Sequence, residues 1–339
     1  MGCYAAITGW GMAVPQRVVT NNDLAAIMDT SDEWIRTRTG IVERRVVSDG
    51  ECTSTLAVQA GHQALACARI APEQIDLVIL ATCTPDRIFP ATASRVQAEL
   101  NIPNAGAFDL NAACSGFVYG LSVATSMIRS GASQSVLLIG VDIFTHLLNW
   151  NDRNTSVLFG DGAGAVVLQQ CEQPRGLLVG KLGSWGQGEQ LMVAKAGGTC
   201  QPLTPELIEQ GQHFVSMNGR EIYKHAIREM SESALYVIRA SGLTIADINL
   251  VIPHQANLRI IEGMARRLRI PLDRVVVNLD RYGNTSAASV PIALYEAAEQ
   301  GRLHTDDYVL LTAFGGGLTW ASAIVRWGQL SETEPFAYE

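Results

Sequence analysis

Ile75-Asp76-Leu77-Val78-Ile79 returns 173 residues later as Ile248-Asn249-Leu250-Val251-Ile252. At the same shift, without gaps, Val136-Leu137-Leu138 falls on Val309-Leu310-Leu311, Asn111 on Asn284 and Leu121 on Leu294. A repeat of about 20 to 50 residues would signal a solenoid, whereas a period of half the chain signals a duplicated unit. Two similar halves packed together, 1–172 and 173–339, are therefore expected, with the junction in the polar stretch 169–180 that interrupts the apolar pattern. Each half reads helix, apolar strand, helix, strand, helix, and then a buried strand at 136–141 or 309–312. Continuous apolar runs alternating with amphipathic segments predict layered α/β architecture. Residues 142–159 have no counterpart in the second half, and an addition on one copy only is a place for specificity.

Composition narrows the function. The 339 residues are 47% hydrophobic and 17% charged, with mean hydropathy +0.13, as expected of a chain with a large apolar interior. A formal charge of -8, from 33 acidic and 25 basic residues, argues against general nucleic-acid binding. An acidic partner would need a local basic patch, and two candidate helix faces carry one: Arg220, Lys224 and Arg228, and Arg259 with Arg266. Seven cysteines without a C-x-x-C pair, and a first segment without the charged-then-apolar signal profile, predict a reduced cytoplasmic protein with no cysteine metal site. The longest uncharged run, 110–128, holds an asparagine and several hydroxyl residues and reads as the start of a buried helix, so no membrane span is expected.

Cys114 follows the strand-like run Ala107-Phe108-Asp109-Leu110 and opens a helix over 115–129, whose apolar positions are Phe117, Leu121, Ala124 and Ile128, with Gly131 as its stop. A thiol at a helix start is favoured as thiolate by the free amides and the dipole, which makes Cys114 a candidate nucleophile. His254 sits just past the strand Leu250-Val251-Ile252, before a helix over 255–268. Ligands of α/β sheets gather outside such strand ends. The remaining histidines, His62, His146, His213, His225 and His304, are read as core residues with satisfied hydrogen bonds. Asn284 lies at the elbow that the repeat matches to that of Cys114. Gly160-Asp161-Gly162-Ala163-Gly164 precedes a strand-like run, whereas a phosphate-cradling loop must open a helix, so it is not a nucleotide site. Gly315-Gly316-Gly317 likewise precedes a strand and is suited to close backbone approach or amide donation.

Three segments, Asn111-Ala112-Ala113-Cys114-Ser115-Gly116-Phe117, His254-Gln255-Ala256-Asn257-Leu258-Arg259 and Gly283-Asn284-Thr285-Ser286-Ala287-Ala288-Ser289, resemble the signatures of the 3-oxoacyl-acyl-carrier-protein synthase III family. The stretch from Thr30 to Ile41 and the run from Ala313 to Trp320 extend the resemblance over nearly the whole chain. It implies a thiolase-like five-layer α-β-α-β-α fold, a homodimer, and a condensation of an acyl-CoA primer, acetyl-CoA or another short one, with malonyl-acyl-carrier protein. CoA would be carried by the substrate, and no cofactor is implied. Thiolases carry a Cys-His-Cys set and elongating synthases Cys-His-His; Asn284 in third place points to the priming, decarboxylating class.

By the same resemblance, Cys114 takes the acyl group, while His254 and Asn284 stabilise the enolate oxygen left by decarboxylation. The backbone amides of Cys114 and Gly317 would form a second oxyanion hole. Trp34 and Arg38 would meet the CoA adenine with Thr30 beside it, Arg153 would reach CoA from the unpaired addition, and Asn257 would bond the pantetheine arm or a nearby water. Phe89 would cross the dimer to close the primer pocket, and Arg259, with Lys224, would meet the acidic carrier protein. Leu318 and Tyr223 stand where phenylalanine is frequent, which bears on pocket shape. Three other readings stay open at this level: a same-fold priming synthase or acyltransferase of a specialised polyketide pathway, a Cys-His-Asn hydrolase, and a degenerate copy that only binds acyl-CoA or carrier protein.

Overall fold

The computed structural model describes residues 3–328. Nine strands among the described residues form one mixed sheet: β1 (Tyr4–Ala13), β2 (Leu77–Ala81), β3 (Gly106–Leu110), β4 (Ser135–Ile143), β5 (Asp161–Cys171), β6 (Gly176–Ser184), β7 (Ile248–Pro253), β8 (Tyr308–Gly315) and β9 (Thr319–Arg326). Read outward from the middle, the order is β1-β5-β4-β2-β3 on one side and β6-β9-β8-β7 on the other. The first two pairings on each side are antiparallel and the next is parallel, so the arms repeat one topology. Where they meet, β1 and β6 share a single parallel pair, Ala5 with Gly176.

The second arm departs from the expected pattern at its edge. No strand matches β3 there; Val275 makes only an isolated bridge to Val251. The Gln255 side chain takes over the backbone pairing at this point, donating to the Val276 carbonyl at 3.1 Å and accepting from the Asn278 amide at 3.0 Å. A side chain that satisfies buried backbone groups removes the demand for a strand.

After helix α1 (Asp32–Thr39), the helices lie in three layers around the two arms. Helices α2 (Thr53–Ala68) and α3 (Thr92–Glu99) cover the first arm, and α5 (Gly219–Ala240) with α6 (Leu258–Leu268) cover the second. Between the arms run α4 (Gly116–Arg129) and α7 (Ser289–Glu299). The expected face of α4, Phe117, Leu121, Ala124 and Ile128, is wholly buried against Val290, Ala293, Leu294 and Ala297 of α7. Burying each large apolar side chain contributes about 1.5 to 3 kcal/mol, so this middle layer is a main source of stability. Leu121 and Leu294, paired by the repeat, are both inaccessible to solvent.

Two glycines let the middle layer reach the sheet. Gly140 and Gly164 face one another across β4 and β5. A Cβ on Gly140 would run into the Ala287 carbonyl, and one on Gly164 would lie 2.7 Å from the Pro291 Cβ. The backbone leading into α7 therefore rests directly on the sheet. The addition at 142–159 begins at the end of β4, whereas β8 and β9 are joined by a short turn. Gly140→Ala is expected to lower unfolding stability by about 1 to 3 kcal/mol through overpacking. Gly186→Ala, where an added Cβ meets nothing within 4 Å, is expected to change it by less than about 0.5 kcal/mol; chemical denaturation of the two variants checks both.

Candidate active site

The chain enters α4 and α7 through matching elbows. Each begins with a short 3-10 turn, Ala113–Ser115 and Ser286–Ala288, related by the 173-residue repeat. Each turn starts on a non-glycine residue in the left-handed region, Ala113 at φ 47° and Ser286 at φ 52°. Such residues are strained by roughly 1 to 3 kcal/mol and cluster at functional sites. Here the strain turns Cys114 and Asn284 toward one cavity of about 310 Å³, which His254 also lines.

Cys114 is 3% exposed, and the Ser286 hydroxyl donates to its Sγ at 3.4 Å. Burial pushes the thiol up to about 12; the Ser286 bond opposes the shift and the Asp142 charge adds to it. The expectation of a thiolate is thereby corrected. The thiol does stand ahead of a helix, but a helix start offers at most about 2 kcal/mol, while removing an ion from water costs several kcal/mol.

His254 is 2% exposed, its amide donates to the Thr312 carbonyl at 2.8 Å, and its Nδ1 lies 2.6 Å from the Ser289 Oγ. Burial pushes the imidazole down to about 3, so it is neutral at physiological pH. Asn284 is fixed by its backbone, donating to the Leu158 carbonyl and accepting from the Gly160 amide. Its Oδ1 accepts from the Ser286 amide at 2.9 Å, which leaves the Nδ2 donors as the end available to the cavity. The site thus combines a protonated thiol, a neutral imidazole and an amide donor. It is suited to transferring an acyl group and holding an oxyanion.

Residues 108–186 match the family described as 3-oxoacyl-[acyl-carrier-protein (ACP)] synthase III, and residues 238–327 match that family's C-terminal region. A beta-ketoacyl-[acyl-carrier-protein] synthase III of Roseiflexus sp. (strain RS-1) is 67% identical over 327 residues, 96% of this chain and 99% of the relative. The chain belongs to the synthase III family. It is an acyltransferase of the condensing type that initiates fatty acid synthesis. The crystal structure of 3-oxoacyl-[acyl-carrier-protein] synthase III from Aquifex aeolicus VF5 superposes with TM-score 0.89 at 46% identity, covering 95% of this chain and all of that one. The priming beta-ketosynthase of the R1128 polyketide pathway has the same TM-score at 33% identity, covering 96% and 97%. The thiolase-like α/β fold expected from the sequence stands.

Within this synthase III fold, Trp34, Arg38, Arg153 and Asn257 line the cavity of Cys114. The Arg38 and Arg153 guanidinium carbons lie 4.4 and 5.3 Å from the Trp34 ring centre, and Arg153 is held by the Asp29 carbonyl at 2.7 Å and its carboxylate at 3.1 Å. Asn257 caps α6, accepting from the Arg259 amide at 2.9 Å, and its Nδ2 donates to the Arg38 carbonyl at 3.1 Å. Thr30 stands just before the helix Asp32–Thr39 and is not among the lining residues; its Oγ1 is buried without a hydrogen-bond partner. Gly317 lies in the turn before β9 at φ 131° and is not among the lining residues, whereas Gly219 and Gly315 are, and a Cβ on Gly315 would come within 2.6 Å of the Cys114 amide.

Phe89 is 86% exposed and lines no part of this cavity within the chain. Arg259 and Lys224 are exposed, Arg259 donating to the Thr37 carbonyl and Lys224 paired with Glu221, each at 2.8 Å. The five other histidines are exposed or half-buried rather than in the core. Polar rings reach solvent more cheaply than they find buried partners. The sequence reading assigned no role to Ser286, Ser289 or Asp142, although the two serines stand in the quoted glycine-asparagine segment. Tyr223 lines the cavity with Met192, Met217 and Ile222. Among the described residues, no cluster of His, Cys, Asp or Glu could hold a metal ion, and no helix is long and apolar enough to cross a membrane.

Alkylation of Cys114 by iodoacetamide, followed by mass spectrometry of its peptide, is expected to rise about tenfold per pH unit from pH 7 to 9. A plateau below pH 8 would contradict the raised pKa. Ser286→Ala, which removes the bond that opposes the effect of burial, is expected to slow alkylation at every pH.

Proposed function

We propose that this synthase condenses acetyl-CoA, or another short acyl-CoA, with malonyl-acyl-carrier protein, and that Cys114, His254 and Asn284 divide the work between them. The observation that carries the reading is that these three groups, one from residues 1–172 and two from 173–339, line a single cavity. In the first step the Cys114 Sγ bonds to the acyl carbon, the bond to the CoA sulfur breaks, and the thiol proton ends on the departing CoA. In the second, the malonyl carbon-carboxylate bond breaks, CO2 leaves, and its electron pair becomes an enolate. That enolate carbon attacks the Cys114 thioester, the carbon-sulfur bond breaks to release 3-oxoacyl-carrier protein, and the Cys114 thiolate takes a proton from solvent to restore the thiol.

Neutral His254 and the Asn284 Nδ2 suit the enolate oxygen because both offer an N–H donor without the cost of a buried charge. The Cys114 and Gly317 amides serve the tetrahedral oxyanions of acyl transfer. Trp34, Arg38, Arg153 and Asn257 form the CoA track, with Thr30 beside it; Trp34 with its two arginines supplies an aromatic face and positive charge for the adenine and phosphates. A short primer is supported by Phe159, which walls the cavity and is backed by its stack on Phe144 at 4.1 Å. The enzyme works as a cytoplasmic homodimer in which the exposed Ile88 and Phe89 reach the partner's primer pocket, and Arg259 with Lys224 receives the carrier protein.

Intact-mass analysis of enzyme and carrier protein with acyl-CoAs from acetyl to medium chain tests this reading. Cys114→Ala is expected to abolish acyl-enzyme. Asn284→Ala is expected to acylate normally and to lose condensation by about 100-fold or more. Normal 3-oxoacyl product from either variant would overturn the roles, and acyl-enzyme with unchanged malonyl-carrier protein in the unaltered protein would point to a different acceptor.

A further inference from the structure

We propose that Ser289 is a positioning residue that fixes the tautomer of His254, holding the proton on Nε2 so that the ring can only donate into the cavity. A neutral imidazole carries one N–H, and which nitrogen bears it is decided by the partner of the other. The Ser289 Oγ, 2.6 Å from Nδ1, is that partner, and both residues are about 2% exposed, so water does not compete. The hydroxyl is itself constrained. It accepts a long bond from the Gln255 amide at 3.4 Å, and a backbone amide is a donor that cannot reverse.

If Nδ1 carried the proton, the Ser289 oxygen would face two donors. Its own hydrogen would then be left over, for among the described residues the Ser289 hydroxyl has no bond to another acceptor. If instead the hydroxyl donates to Nδ1, each group is satisfied and Nε2 keeps the proton. Leaving a buried donor unmade costs about 1 to 3 kcal/mol, enough to bias the tautomer ratio about five- to 150-fold. His254 is then unable to accept the Cys114 proton at Nε2, which restricts it to the oxyanion. Ser289 is the first residue of α7, so the elbow that presents Asn284 also sets the second donor.

The inference rests on the reading of His254 as an enolate-binding group, and the experiment separates the two. Full-length protein labelled with 15N-histidine is examined by ring-nitrogen NMR, with His254→Ala to assign the signal. The expected result is a protonated Nε2 and a bare Nδ1 at pH 7, with loss of that single tautomer in Ser289→Ala. In the same variant, condensation of acetyl-CoA with malonyl-carrier protein is expected to fall at least about tenfold, while Cys114 acylation stays unchanged. Ser289→Thr, which keeps the hydroxyl, is expected to restore both tautomer and condensation. A wild-type ring protonated on Nδ1, or undiminished condensation in Ser289→Ala, would overturn the proposal, and the wild-type spectrum decides even if the variant does not fold. Normal condensation by His254→Ala would instead overturn the enolate-binding reading.

Discussion

The Asp142 carboxylate, wholly buried at the end of β4, is the tie on which the two-sided site depends. One of its oxygens accepts from the Thr82 and Thr84 hydroxyls and from the Cys83 and Thr84 amides; the other accepts from the Ala287 amide at 3.1 Å. The first group belongs to the end of β2 in one half, and Ala287 to the elbow of the other. Burying a carboxylate costs several kcal/mol, and only a full set of charge-assisted hydrogen bonds offsets that. The two halves must therefore meet in one register if the charge is to be satisfied. Gly140 and Gly164 add the steric side of the same constraint, since the segment carrying Asn284 packs where any side chain on the sheet would stand.

Burial then sets the electrostatics, and it does so in opposite directions for the two titratable groups of the site. The thiol is held as a thiol and the imidazole as an imidazole, because in each case the charged form is the one that loses water. On the proposed reading, negative charge that develops on the substrate is met by the Asn284 amide and a neutral ring. On that reading the condensation step has no need of a strong base, since loss of CO2 supplies the carbanion. The charged groups, Arg38 and Arg153, are kept with Trp34 at the exposed end of the cavity lining, where their charge remains solvated.

Much of this was legible in the residue order. The 173-residue repeat predicted the paired elbows, and the four apolar positions read for α4 are all buried. The glycine run at 315–317 leads into a strand as read, whereas 160–164 lies almost wholly within one, since β5 starts at Asp161. Periodicity records which face of an element is apolar, and such faces are buried wherever the fold places them. The missing edge strand near Val275 was not legible, because the Gln255 side chain that replaces it comes from another segment.

The sequence by itself determined the duplicated α/β architecture, the family and the three candidate site residues, since each is encoded in local pattern and in motif. Only the tertiary structure decided their chemical state. Whether Cys114 is thiol or thiolate, and whether His254 donates or accepts, depends on dielectric and on hydrogen-bond partners such as Ser286 and Ser289, which stand 172 and 35 residues away along the chain. Desolvation and hydrogen bonding act through space, and the order of residues along a chain does not specify the distances through which they act.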